Sequence, residues 1–219
     1  MPPEPTDLSA LMAEAYRLRL LRGLDDLIAD SGFDLVAGVD EAGRGCLAGP
    51  VVAGAVIMGP VLLPGVDDSK RLDVTQRERL AAKIREHAIA HATVAVAADV
   101  IDRVNVLEAT RMAMRKALAR LRPRPRIALI DAVRFQSDMQ VVPVIRGDSM
   151  SYSIACASIL AKTERDRFME DMSERFPGYE FERNKGYGSS AHRQALDELG
   201  PTPIHRLTFR SVLPRRDGC

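Results

Sequence analysis

The sequence predicts an α/β protein: a mixed β-sheet with helices packed on it, and a C-terminal portion that is mostly helical. Three observations predict it. Short apolar runs that fit buried strands alternate with longer stretches whose apolar residues recur at helical spacing. From Ser149 onward a long helical stretch is followed by a loop, a further helix and a closing segment. Hydrophobic residues make up 46% of the chain and charged residues 28%, which builds a core and excludes a disordered polyelectrolyte. A length of 219 residues suits one domain with a small appended piece.

The elements follow in order. Between residues 8 and 30, Leu8, Leu11, Met12, Leu18, Leu21, Leu24 and Ile28 recur at a spacing near 3.6, so residues 1–34 read as a helical extension. "DLVAGVD" and "GPVVAGAVIM" read as two buried strands joined by a glycine-rich turn. "LLPGVDDSKRLD" is punctuated as a loop. Thr75 and Glu78 form a capping box for a helix reaching about His91. "TVAVAAD" is a third strand. A helix from about Val106 to Leu121 is stopped by "RPRP". "IALID" is a fourth strand, and "VVPVI" a fifth, placed at the sheet edge by Pro143. A long helix lies within Ser149–Phe176, followed by a loop, a helix and a closing segment to about Val212. Residues 213–219 are a tail.

Charge is uneven along the chain. Arg111 to Arg134 carries eight basic residues against the single acid Asp131, a face able to hold phosphates although the net charge is only +1. On composition alone, a solvated helix face explains that run better. Cys46, Cys156 and Cys219 lie far apart with no CxxC spacing, which fits reduced thiols in a cytoplasmic protein. The N-terminus shows no signal-peptide pattern, and the longest apolar run is broken by Gly54, Gly59, Pro60, Pro64 and Gly65, so no membrane association is expected.

The chemistry is carried by "GVDEAGRG". Asp40 ends the first strand, with Glu41 beside it. Asp131 ends the fourth strand and Asp148 follows the fifth. Ligands of open α/β sheets gather outside strand ends. Carboxylates meeting there repel by about 1 kcal/mol or more per pair, a penalty that a divalent cation removes. Oxygen-only ligands favour Mg²⁺ or Mn²⁺ over zinc. Neighbouring strand residues point to opposite faces, so the backbone is expected to bend for Asp40 and Glu41 to share a site, as Gly43 and Gly45 permit. Singly, each acid is more often structural, and Asp148 before Ser149 could be an N-cap. An arginine between glycines has no place in a plain hairpin.

These residues resemble ribonuclease HII. The blocks that carry the likeness are "GVDEAGRGCLAGPVVAGAV", "DDSKRL", "NVLEATRMAM", "LIDA", "VIRGDSMSYSIACASILAKTERDR", "NKGYGSSAH" and "PIHRLTF", in order from about Leu35 to Val212. The resemblance implies a ribonuclease H-like mixed sheet flanked by helices, over residues 35–212. It implies endonucleolytic cleavage of RNA in RNA–DNA hybrids and 5′ of single ribonucleotides in duplex DNA. The implied reaction is two-metal hydrolysis with Mn²⁺ or Mg²⁺, leaving 3′-hydroxyl and 5′-phosphate ends, in ribonucleotide excision repair and primer removal by a monomeric protein. Asp40, Glu41, Asp131 and Asp148 fall on the four acidic catalytic positions. Gly43, Arg44 and Gly45 fall on the loop that reads the ribose 2′-hydroxyl, Tyr187 on the tyrosine that stacks near the following sugar, and Ser69 and Lys70 in a block near the phosphate backbone. The chain departs from the family pattern at Ala132, where glycine is usual, at Ser189 for threonine, and at Arg146 for lysine.

Other classes fit less well. The related ribonuclease HIII usually carries a sizeable N-terminal domain, for which 34 residues leave no room. "GDSMS" lacks the GxSxG elbow of a serine hydrolase. The "RGD" at Arg146–Asp148 is coincidental in a cytoplasmic composition. A non-catalytic nucleic-acid-binding module would not need four acids that repel phosphate. His87 and His91 have metal-ligand spacing on the expected helix, but no third ligand completes them. His192 and His205 are expected in packing or substrate contact. The tail "PRRDGC" indicates no sliding-clamp partner, although one is compatible with the sequence.

Overall fold

The two most apolar runs form the centre of a five-stranded sheet. In a computed structural model that describes residues 7–213, the strands are β1 (Val36–Ala42), β2 (Val51–Met58), β3 (Ala88–Val96), β4 (Ile127–Asp131) and β5 (Gln140–Val144). Their order is β3-β2-β1-β4-β5. β1, β2 and β3 form an antiparallel meander, while β4 and β5 run parallel to β1. All eight residues of β2 are buried, as a strand covered on both faces requires. β5 is an edge strand, as Pro143 predicts.

The helices are α1 (Leu8–Asp30), α2 (Val74–His87), α3 (Ala98–Val104), α4 (Val106–Arg120), α5 (Gly147–Met150), α6 (Tyr152–Arg175), α7 (Phe181–Asn184) and α8 (Ser190–Leu199). One face of the sheet packs through Ala37, Val39, Val51 and Ile130 against Ala109, Ala113 and Ala117 of α4. The other packs through Val56 and Met58 against α6, α2 and Leu18 and Leu21 of α1. A third cluster of Met169, Met172, Tyr179, Phe181 and Leu196 joins α7 and α8 to the end of α6.

α1 docks on this body. Its Asp25 accepts hydrogen bonds from the amides of Tyr152 and Ser153, both 3.1 Å, so the extension caps the start of α6. Among the described residues no helix is long and apolar enough to cross a membrane. Cys219 and the expected tail beyond Leu213 lie outside the described residues.

Several elements differ from the sequence expectation. The capping box of α2 is Asp73 with Gln76, not Thr75 with Glu78. Both pairs fit the pattern, and the earlier one starts the helix. Glu78 instead bonds Arg167 on α6. The helix ends at His87, and the chain enters β3 directly, so His91 is a strand residue paired with Val56. The alternation in "AIAHATVAV" is the signal that the helix reading overrode. α3 was not expected. The long helix starts at Tyr152 behind the N-cap Ser151, with Asp148 in the separate turn α5.

Candidate active site

The acids stand where strand alternation puts them. Ala37 and Val39 point into the α4 core, so Gly38 and Asp40 face α6. Ala128 and Ile130 of β4 do the same, which turns Leu129 and Asp131 toward α6. The parallel register pairs Val39 with Ile130, so Asp40 and Asp131 stand level on adjacent strands one step further along.

α6 lies unusually close to the sheet here. A Cβ on Gly38 would meet the Ser153 carbonyl carbon at 2.0 Å, and one on Gly54, which pairs with Asp40, would meet the Ala157 oxygen at 2.4 Å. That close approach brings Ser158 to Asp40.

β1 continues through Glu41 to Ala42, so Asp40 and Glu41 are both strand residues, and the expected bend comes only afterwards. Asp40 is 6% exposed and its Oδ1 accepts from the Glu41 amide at 2.7 Å. Burial first, then the charges of Glu41 and Asp131, push its carboxyl well above the usual range, against the Ser158 hydroxyl. Glu41 is also raised, by burial and by Asp131, with Arg44 opposing. Asp148 is raised by burial, Asp68 and Asp131, with Lys70 opposing. Asp131 is thus the common neighbour of the other three. Its Oδ1 also accepts from the Gly147 amide at 2.8 Å, which ties β4 to the Asp148 turn.

The four acids do not close into a ligand set. Among the described residues no three His, Cys, Asp or Glu side chains stand together to hold a metal. Glu41 and Asp148 take cationic partners instead: Arg44 Nη1 lies 3.1 Å from Glu41 Oε1, and Lys70 Nζ 3.8 Å from Asp148 Oδ2. Glu41 Oε2 is left buried without a hydrogen-bond partner. An orphaned carboxylate oxygen among oxygen-only donors, with the charged forms of Asp40, Glu41 and Asp148 disfavoured, fits a hard divalent cation.

The remaining expected residues divide. Gly43 has φ +94°, and a Cβ there would lie 2.0 Å from Arg165 Nε. No heavy atom would meet a Cβ on Gly45 within 4 Å, so nothing in the fold demands that glycine. Tyr187 is half-exposed, with Lys162 and Arg165 over its ring at 5.9 and 5.8 Å. Lys70 is exposed. Ser69, expected near phosphate, is buried, with its hydroxyl 2.9 Å from Ser158 Oγ, so it supports the residue beside Asp40. Asp148 caps neither neighbouring helix; Arg146 and Ser151 occupy those positions. Ala132 takes φ +47°, which a glycine would adopt without the ~1 kcal/mol that a Cβ costs there. Ser189 uses its hydroxyl to cap α8.

Sequence reasoning missed Ser158, Lys162 and Arg165, spaced 4 and 3 along α6. Polar residues on one stripe of an otherwise buried helix were the available signal. It also left His192 and His205 without a defined role. They are buried, and their Nε2 atoms lie 2.9 Å apart. His192 Nδ1 must donate to the Tyr187 carbonyl at 2.8 Å, and His205 Nδ1 must accept from the Thr202 amide at 2.9 Å. Hence His205 Nε2–H donates to His192 Nε2, and both rings are neutral.

Burial, then the neighbouring His192, lowers His205 from 6.5 to about 4, and burial lowers His192 as well. As pH falls from 6.5 toward 4, the unfolded chain takes up the proton that the folded one refuses. Stability is lost through that window, by about 3 kcal/mol for His205. Urea unfolding of the wild type and of His205→Asn should therefore differ less at pH 5 than at pH 7.5. An equal difference at both values would remove the neutral pair.

The comparisons with known proteins bear on the same residues. A family model described as Ribonuclease HII matches residues 37–212, which contain all four acids, the Arg44 loop and Tyr187. The ribonuclease HII of Thermosynechococcus vestitus is 52% identical over 188 residues, 84% of this chain and 87% of that protein. That of Syntrophomonas wolfei is 47% identical over 204 residues, 92% of this chain and 80% of that protein. Among solved structures, a complex of PCNA with ribonuclease HII from Archaeoglobus fulgidus matches with a TM-score of 0.67 at 27% identity, over 80% of this chain and 95% of that one. With the fold, the strand-end acids and this identity over most of its length, the chain is a hydrolase of ribonuclease H type 2 and belongs to the ribonuclease HII family.

Proposed function

We propose that this protein is an endoribonuclease that hydrolyses the RNA strand of RNA–DNA hybrids and cuts 5′ of single ribonucleotides embedded in duplex DNA. The observation that carries the reading is the convergence of acids on Asp131, which neighbours Asp40, Glu41 and Asp148, with Glu41 Oε2 buried and unpartnered. Asp40, Glu41 and Asp131 would hold the divalent cations, Mn²⁺ or Mg²⁺ and two in the working complex, and Asp148 would complete the set or orient the attacking water. When bound, such ions neutralise phosphate charge and lower the pKa of an attacking water.

The chain's own residues do the rest. Arg44 and Lys70, now on Glu41 and Asp148, are the cations nearest the acids and turn to the phosphate backbone when substrate arrives. The amides of the Gly43–Gly45 loop meet the ribose 2′-hydroxyl, a donor and acceptor that deoxyribose lacks. Tyr187 offers its exposed ring edge to the next sugar. Hydrolysis leaves 3′-hydroxyl and 5′-phosphate ends, products suited to ribonucleotide excision repair and primer removal. A cytoplasmic setting accords with the free thiols of Cys46 and Cys156.

Three end-labelled substrates test this: an RNA–DNA hybrid, a duplex with one ribonucleotide, and an all-DNA duplex, each with Mn²⁺, Mg²⁺ or EDTA. The first two should be cut only with a cation and the third not at all. Cutting in EDTA, or of the all-DNA duplex, would defeat the proposal.

A further inference from the structure

His205 and Arg206 are adjacent in sequence and nearly or completely buried, at 2% and 0% exposure. Their side chains serve different segments. Arg206 forms no ion pair among the described residues and spends its whole guanidinium on carbonyls. Nε and Nη2 donate to Gly49 at 3.0 and 2.9 Å, Nη1 to Arg44 at 2.8 Å, and Nη2 to Gly43 at 2.7 Å. Burying a cation without a carboxylate is costly, and filling space does not require it, since an apolar side chain of similar length does that without the desolvation cost.

The bonds have a directional consequence. In a trans peptide the C=O and the next N–H point opposite ways. Drawing the Gly43 and Arg44 carbonyls inward to Arg206 turns the Arg44 and Gly45 amides the other way. Among the described residues neither amide donates to another backbone carbonyl.

The second arm starts one residue earlier. His205 donates to His192, and His192 donates to the Tyr187 carbonyl. The backbone closes the same frame: the Arg206 amide donates to Leu47 at 2.9 Å, Gly49 to Ile204 at 2.8 Å, and Leu47 to the Gly186 carbonyl at 2.8 Å. Asp102 on α3 anchors the segment from behind, accepting from the amides of Leu207 and Thr208 at 2.9 and 3.0 Å.

We propose that His205 and Arg206 form a two-armed positioning element for sugar selectivity, in which Arg206 presents the Arg44 and Gly45 amides and His205, through His192, fixes Tyr187. Neither residue touches substrate. One dipeptide sets the separation between the two reading elements, so recognition of a lone ribonucleotide depends on it. This rests on the reading of the Arg44 loop and Tyr187 as the elements that meet the sugar.

A lone ribonucleotide offers one 2′-hydroxyl, whereas an RNA strand offers one at every step and tolerates a misplaced reader. The test is therefore the ratio of kcat/KM on a single-ribonucleotide duplex to that on a full hybrid of the same length. Arg206→Lys keeps the charge and loses the fork. His192→Leu cuts the other arm, while His192→Asn keeps a donor for the Tyr187 carbonyl. We expect the ratio to fall about tenfold in Arg206→Lys and His192→Leu, as misplaced groups cost, and to recover in His192→Asn. A purely structural role would lower both rates together and leave the ratio unchanged. An unchanged ratio in either folded variant overturns the proposal. A wild-type protein that cuts neither substrate overturns the functional reading instead.

Discussion

Asp40→Asn is expected to abolish hydrolysis and, at neutral pH, to stabilise the fold. The loss of rate should be roughly 1000-fold, about 4 kcal/mol of barrier, because in the proposed mechanism the substitution removes a charge that would hold the cations. The gain in stability follows from the direction of the shift. Burial and the charges of Glu41 and Asp131 raise the Asp40 carboxyl in the folded chain, so above the unfolded value near 3.8 the folded state is penalised relative to the unfolded one. Asparagine removes that penalty. In EDTA, each ~1 kcal/mol of relief should raise the Tm by about 2–4 °C in a chain of this size. The difference between variant and wild type should shrink as pH falls from the raised folded value toward 3.8 and vanish below it, where Asp40 is uncharged in both states. A variant that keeps more than a few per cent of the activity would sink the ligand role. One that melts below the wild type at pH 7 would show that Asp40 serves the fold, with no strain stored at the site.

Gly38→Ala should cost the fold more than any surface change, about 3 kcal/mol or more. The new Cβ would lie 2.0 Å from the Ser153 carbonyl carbon, 2.3 Å from the Ile154 nitrogen and 2.3 Å from the Ser153 oxygen. All three are backbone atoms, so no rotamer change relieves the contact, and the start of α6 must retreat from β1. Retreat also draws Ser158 away from Asp40 and disturbs the amides that Asp25 caps. Melting should occur roughly 6–12 °C lower, with activity falling in the molecules that remain folded. Alanine at Gly45, where the site is open, is the matched control and should melt like the wild type. Equal Tm values for the two variants would refute the close approach of helix and sheet.

The candidate site was legible where its signal is local. An acid closing an apolar run announces a strand end at Asp131, whereas β1 runs on two residues past Asp40 to Ala42, and a proline in "VVPVI" announces an edge. Where two local signals competed, the sequence could not choose: Asp73–Gln76 and Thr75–Glu78 are equally good capping boxes, and "AIAHATVAV" reads as helix or strand until β2 is present to pair with it. Ser69 carried a family block but not its direction. Its burial against Ser158, 89 residues away, follows from α6 lying on the sheet.

By itself, then, the sequence determined the α/β class, the succession of strands and most helices along the chain, and the acids toward the ends of β1 and β4. Only the tertiary structure decided what those acids face. Arg206 reaches the Gly43 carbonyl across 163 residues, and Glu41, free in sequence to face solvent, is partly buried near Asp131 with its Oε2 orphaned. The physical reason is range: propensity and periodicity act over a few residues, while burial, charge repulsion and donor–acceptor pairing depend on which distant backbone the core brings close.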